Sequence, residues 1–281
     1  MGEYFNRFVP PEAAPAATKD KAPTLGQSDY ADGTGLMFGV KLSSGKVQPR
    51  EENWGCAPHL RPFAPAMSAD FTDLEQRCLA ALSAQGGDAA HDLGHVRRVV
   101  LNARRLAGAE QARLEVVLPA AWLHDCVTVP KDSLQRASAS RRAAVQAGVW
   151  LRAWNYPATF LPDITHAIEA HSFSAGIVPR TIEAQVVQDA DRLEAIGAVG
   201  LARCLMLGGA LGRPLYAADD PFCKDRKPDD RVSAVDHFYT KLLSLEATMQ
   251  TASGRREARV RTEYLQGFLA QLRREIDLEP E

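Results

Sequence analysis

The stretch DAAHDLGHVRRVVLNARRLAG, residues 88–108, decides the fold class. Val96, Val99, Val100, Ala103 and Leu106 recur at three- and four-residue spacings, the stripe of an amphipathic helix with one face toward a core. Asp88 stands where a helix N-cap belongs. The same stretch carries His91 and His95, four residues apart and so on one helix face. A zinc protease writes HExxH here, one helical turn presenting both imidazoles to a metal ion. In this chain Asp92 replaces the glutamate and is one methylene shorter, and general-base catalysis depends on geometry. No third ligand follows at the spacings of the zincin patterns, which argues against a protease.

The helical period continues outward in both directions. DFTDLEQRCLAALSAQ (70–85) runs into Gly86-Gly87, a helix stop. LEVVLPAAWLHDC (114–126) is apolar enough for a buried helix, with Pro119 marking a start or a kink. Further helices are expected over about 137–153, 162–172, 181–206, 232–248 and 254–276. Runs of alternating β-branched residues are missing and no repeat period suggests a solenoid, so the expected class is all-α. Residues 1–67 read differently. VPPEAAPAATKDKAPTLGQSDYADGTG (9–35) is rich in Pro, Ala, Gly and polar residues and cannot bury enough surface to offset its ordering entropy. The expectation is a mostly disordered tail over 1–67, with GLMFGVKL (35–42) its one apolar island, followed by a helical domain over 68–281.

Composition narrows the setting. The 281 residues are 46% apolar and 24% charged, as in ordinary globular proteins, and the net charge of −2 gives no reason to expect a nucleic acid polymer as partner. The five cysteines are scattered and form no CxxC pair, so neither a disulfide framework nor a cysteine-rich zinc site is expected. Without a signal-peptide pattern or a long apolar run, the expected location is the cytoplasm, with no membrane partner.

Two further clusters join HDLGH. AAWLHDCVTVPKDS (120–133) places His124 and Asp125 side by side after an apolar run, where a buried charge needs a partner or a metal. VVQDADRLEAIGAVGLA (186–202) places Asp189 and Asp191 within an Ala-rich helix. Two residues apart on a helix means about 200° around its axis, so only one of the two faces a given site. Together the clusters supply His, His-Asp and Asp in chain order, each on an expected helix.

This order resembles the HD-domain superfamily of metal-dependent phosphohydrolases, whose hallmark is H…HD…D on a helical bundle. HVRRV fits the H-x-x-R-V opening at His95, the doublet is His124-Asp125, and the A-D-R-L segment matches at Asp191. HDxxHxxRV, AIEAHSF, VQDADRLEAIGAVGLAR, GGALGRPLY and DHFYTKLLSLEATMQT extend the likeness over residues 70–275, to a subgroup of small stand-alone bacterial HD hydrolases. The resemblance implies an HD-type helical bundle in which His95, His124, Asp125 and Asp191 bind one divalent ion, Mn, Mg, Co, Fe or Zn. It also implies a small phosphorylated substrate, since some members of the subgroup are nucleoside triphosphate pyrophosphohydrolases.

The donor types agree with that chemistry. Mixed nitrogen and oxygen ligands suit several divalent ions and leave positions for water and a phosphoryl oxygen. Cationic side chains would neutralise the phosphates. Lys131, six residues after Asp125, is the leading candidate, followed by Arg136 and Arg192, with Arg141 and Arg180 also near in the chain. His166 and His171 in THAIEAHSF lie about 140° apart on one helix, which disfavours joint coordination. His171 is therefore expected in the groove near substrate and His166 in a structural role. Several HD hydrolases carry an acid shortly after the doublet's histidine, whereas this chain has Val127 and Thr128 there, so His91 is the candidate proton donor. The favoured expectation is hydrolysis of a nucleoside triphosphate to monophosphate and pyrophosphate. The alternatives are hydrolysis of a nucleoside monophosphate or phosphodiester, or a catalytically silent metal-binding regulatory module. The oligomeric state is not readable from these residues.

Overall fold

The computed structural model describes residues 70–84, 89–127 and 138–276, without the side chains of residues 89–92 and Phe173. The expected tail over 1–67 lies outside the described residues, as do Lys131 and Arg136. Among the described residues every regular element is helical: α1 Thr72–Ala84, α2 Ala89–Glu110, α3 Leu114–Leu123, α4 Ala139–Ala153, α5 Leu161–His171, α6 Ile182–Leu193, α7 Gly197–Ala210, α8 Asp236–Thr240 and α9 Ala252–Ile276. The expected all-α class is what the chain adopts. No single described helix is long and apolar enough to cross a membrane.

The core forms where α2, α3, α5 and α6 pack on one another, with α4 laid on α5 and α9 closing against α2, α6 and α7. α3 is its centre, and every residue from Val116 to Leu123 is buried. Pro119 lies inside this helix, so the carbonyl of Glu115 loses its usual i+4 donor. The Tyr156 hydroxyl donates to that carbonyl at 2.7 Å and replaces the missing bond.

Two expected helices are corrected. The segment 181–206 is not continuous. It breaks after Leu193, and α7 leaves at 58° to α6. The break tightens through Glu194 N–H to the Asp191 carbonyl and Ala195 N–H to the Arg192 carbonyl, then turns at Gly197 with φ +73°. The segment 232–248 holds only α8 and two single 3₁₀ turns, Leu242–Ser244 and Glu246–Thr248. Its apolar spacing is genuine, for Val235, Phe238, Leu242, Leu245 and Met249 are all buried. Helix α8 breaks at Lys241, whose φ of −143° is outside the helical region, and its first residue is pinned from the preceding loop. Asp236, fully buried, takes a two-pronged ion pair from Arg226 at 2.6 and 2.8 Å, plus the Asp229 N–H and the Ser233 hydroxyl.

The N-terminus of α9 is held by acids from two other helices. Asp189 of α6 accepts from Gln250 N–H, Thr251 N–H and the Thr251 hydroxyl, at 2.8, 2.8 and 2.7 Å. Thr251 in turn caps the helix by accepting the Gly254 N–H at 2.9 Å. Glu110, at the end of α2, accepts from Ser253 N–H at 2.6 Å. Both carboxylates meet the positive end of the helix dipole. Glycine is required at 254, since a Cβ there would fall on the Asp189 carboxylate.

Asp189→Ala strands the buried Thr251 N–H and hydroxyl and the partly buried Gln250 N–H, and should lower stability in urea unfolding by about 1–3 kcal/mol. Gly254→Ala should destabilise in the same assay. Wild-type midpoints in both variants would show that α9 is anchored by something else.

Candidate metal centre

Four helices deliver five side chains to one place. His95 comes from the second turn of α2, while His124 and Asp125 follow the last turn of α3. His171 ends α5, and Asp191 lies in the last turn of α6. His95 Nε2 stands 3.4 Å from Asp191 Oδ1, and His124 Nε2 stands 3.8 Å from the same oxygen. Asp125 faces two imidazoles, with Oδ2 3.7 Å from His124 Nε2 and Oδ1 3.4 Å from His171 Nε2. The ring of His124 lies edge-on between the other two, with centroids 5.5 Å from His95 and 4.9 Å from His171. Two donor triples result, His95–His124–Asp191 and His124–Asp125–His171, and each is close enough to hold a metal ion. The imidazoles form a floor under 10% exposed, whereas the Asp125 and Asp191 side chains are 49% and 28% exposed. The cluster is thus open on its carboxylate side.

The local backbone sets how the rings face. His124 Nδ1 lies 2.8 Å from the Ala121 carbonyl and His171 Nδ1 lies 2.6 Å from the Ile168 carbonyl. A carbonyl only accepts, so each Nδ1 carries a proton; this leaves the His124 Nε2 lone pair toward the cluster, while His171 Nε2 carries a second proton where it pairs with Asp125 Oδ1. The Gln188 amide donates to the Ala170 carbonyl at 2.6 Å and ties α6 to α5 beside His171. His124 Nε2 is buried without a hydrogen-bond partner. A buried bare nitrogen with carboxylates on either side is what a divalent ion would satisfy, so the residues fit the group.

The charges are strongly coupled. Burial opposes ionisation of Asp191, but the His95 hydrogen bond and the neighbouring imidazoles outweigh it and hold the acid at about 2. Burial likewise pushes Asp125 up, and His124 and His171 overcome it, leaving the acid well below the usual carboxylate range. Burial pushes His124 down. His95 is buried too, but hydrogen bonds to Asp191 and Glu194 raise it to about 9. His171 rises through Asp125 despite its burial.

The other expected site residues divide. The His91 backbone lies in the first turn of α2, one turn before His95, and its side chain is outside the described residues, as are Lys131 and Arg136. Arg192 donates from Nη1 to the Thr248 carbonyl, near the start of α9. Arg141 is exposed on α4. His166 Nε2 accepts the Arg180 N–H at 2.9 Å, which engages both residues in local structure. Asp189 is taken up by the α9 anchor, so Asp191 is the acid of α6 that reaches the cluster. Sequence reasoning passed over Glu194 and Arg98. Glu194 is three residues after Asp191 and Arg98 three after His95, so each shares its neighbour's helix face. That spacing was the available signal.

Comparison with known proteins places the chain in one family. The HD domain profile matches residues 92–196. The uncharacterized protein YpgQ of Bacillus subtilis is 35% identical over 190 residues, covering 66% of this chain and 84% of its own. A crystal structure of an HD-superfamily hydrolase from Bacillus thuringiensis superposes with TM-score 0.58 at 29% identity, over 74% of this chain and 98% of that one. The crystal structure of B. subtilis YpgQ in complex with ADP superposes with TM-score 0.54 at 32% identity, over 73% and 95% of the two chains. The matched profile spans both histidine clusters and the acid of α6, and the chain belongs to the HD-domain superfamily of metal-dependent phosphohydrolases.

Proposed function

We propose that the chain hydrolyses nucleoside triphosphates to nucleoside monophosphate and pyrophosphate, with His95, His124, Asp125 and Asp191 holding one divalent ion. The observation that carries the reading is the buried, unpartnered His124 Nε2 between the carboxylates of Asp125 and Asp191. The nucleotide class draws on the relative YpgQ, a structure of which contains ADP. When bound, the ion supplies Lewis-acid chemistry, withdrawing charge from a phosphoryl oxygen and acidifying water.

The chain's own groups then divide the work. The carbonyls of Ala121 and Ile168 accept the Nδ1 protons of His124 and His171 and so turn both Nε2 atoms inward. His171 steadies Asp125 through Oδ1 and leaves Oδ2 toward His124. The half-exposed carboxylate side is where a phosphate would enter. Lys131 and Arg136, following Asp125 in the chain, supply positive charge to the phosphates, and Arg192 adds charge close to Asp191. His91, one turn from His95 on α2, is the proton donor to the departing pyrophosphate.

His124→Ala or Asp125→Ala should reduce turnover by more than about a hundredfold and strip bound metal, because losing a ligand exceeds the loss of a supporting contact. Chromatography of the products separates pyrophosphate from phosphate, and release of phosphate alone would sink the proposed bond choice. Metal binding with no turnover of any nucleotide or phosphomonoester would favour the silent regulatory module.

Ion binding should also displace protons. His95, raised to about 9 without metal, is protonated at neutral pH, and a ligand imidazole must be neutral. Calorimetry in buffers of differing ionisation enthalpy should therefore show proton release on loading. Apparent affinity should fall as pH is lowered, roughly tenfold per unit for each proton displaced. Affinity that stays flat as pH falls through the whole imidazole range would remove His95 from the ligand set.

A further inference from the structure

His124 and His171 each place Nδ1 against a backbone carbonyl, but His95 has side chains there. Its Nδ1 lies 2.7 Å from Arg203 Nη1 and 3.7 Å from Glu194 Oε2. The two neighbours make opposite demands. A guanidinium has no lone pair, so Arg203 donates and needs a bare Nδ1, which puts the ring proton on Nε2. A carboxylate accepts, so Glu194 needs Nδ1–H, which leaves the Nε2 lone pair free toward Asp191. Only the second arrangement makes His95 a ligand.

We infer that Glu194 is the positioning residue for His95, accepting its Nδ1 proton and so aiming the Nε2 lone pair into the cluster. The inference rests on the reading of His95 as a metal ligand. Glu194 is built for the task. Its side chain is 4% exposed, and its place three residues after Asp191 puts it beside the same histidine. Arg98 Nε holds Oε2 at 2.6 Å and the Asn102 amide lies 3.5 Å from Oε1. Arg261 of α9 orients Asn102 through its carbonyl oxygen at 3.2 Å and also donates to the Leu193 carbonyl at 2.7 Å. A carboxylate buried at the end of α6 is thereby fixed from α2 and α9. Arg203, 45% exposed on α7, is the competitor, and a protonated Nδ1 would repel it toward solvent.

The test uses the full chain, freed of metal by chelator, and measures Zn²⁺ affinity by chelator competition. Glu194→Gln should weaken binding about 10- to 100-fold. Arg203→Met, which removes the competitor, should bind Zn²⁺ as tightly as wild type or more tightly. Arg98→Met separates positioning from mere support. It removes the Glu194 ion pair but leaves the carboxylate facing His95, so its loss of affinity should be smaller than that of Glu194→Gln. In the Zn²⁺-loaded wild type, nitrogen NMR of the imidazoles should show the His95 proton on Nδ1, a readout that needs no variant to fold. Unchanged affinity in Glu194→Gln, or a His95 proton on Nε2, would overturn the inference. Failure of the wild type to bind Zn²⁺ or Mn²⁺ at all would strike the ligand reading itself.

Discussion

Keeping an imidazole nitrogen bare inside a helical core is the constraint on which the rest of the site depends. His124 Nε2 is buried and unpartnered, at the end of a helix whose residues from Val116 to Leu123 are all buried. Such a nitrogen is costly unless something is meant to bind it, and its surroundings are arranged accordingly. The Ala121 carbonyl holds the opposite ring nitrogen, while two carboxylates approach from α3 and α6. The packing of α2, α3, α5 and α6 makes this convergence possible. Their ends, rather than their middles, carry the donors of α3, α5 and α6, so each side chain is set by a helix terminus packed in the core.

The two acids of α6 show how position on one helix assigns chemistry. Asp189 is fully buried, and three donors around residues 250 and 251 saturate it. Asp191 points elsewhere, toward His95 and His124, with 28% of its side chain reaching solvent. Both are carboxylates in low-dielectric surroundings, yet burial dominates Asp189 and raises it, whereas imidazoles hold Asp191 down. One anchors a helix and the other stays ionised and accessible. The angular offset of residues two apart, near 200°, is enough to separate the roles.

Much of this was legible in the sequence, because helical periodicity and the order of His, His-Asp and Asp are local patterns. The stripe from Val96 to Leu106 specified α2, and all five of its residues are buried. What was not legible depended on three-dimensional partners. The interruption after Leu193 hides inside an apolar run, and only Gly197 with its positive φ betrays it. The run from Val235 to Met249 has helical spacing, but the helix breaks at Lys241, whose backbone leaves the helical region at φ −143°. His171 was expected in the groove, and its approach to Asp125 required knowing that α5 ends beside α3. Glu194 carries no local signal of its role, which comes from Arg98 and Asn102 meeting it from α2.

The proline within α3 has a consequence for cooperativity. Pro119 removes a rung from the helix, and the Glu115 carbonyl accepts instead from the Tyr156 hydroxyl, some forty residues away in the chain. Helix α3 is therefore incomplete as a local object. Its backbone bonding closes only when the junction between α4 and α5 has docked. That ties formation of the segment bearing His124 and Asp125 to assembly of the helices around it. The doublet's scaffold and the core are thereby coupled in folding, each favouring the other's completion.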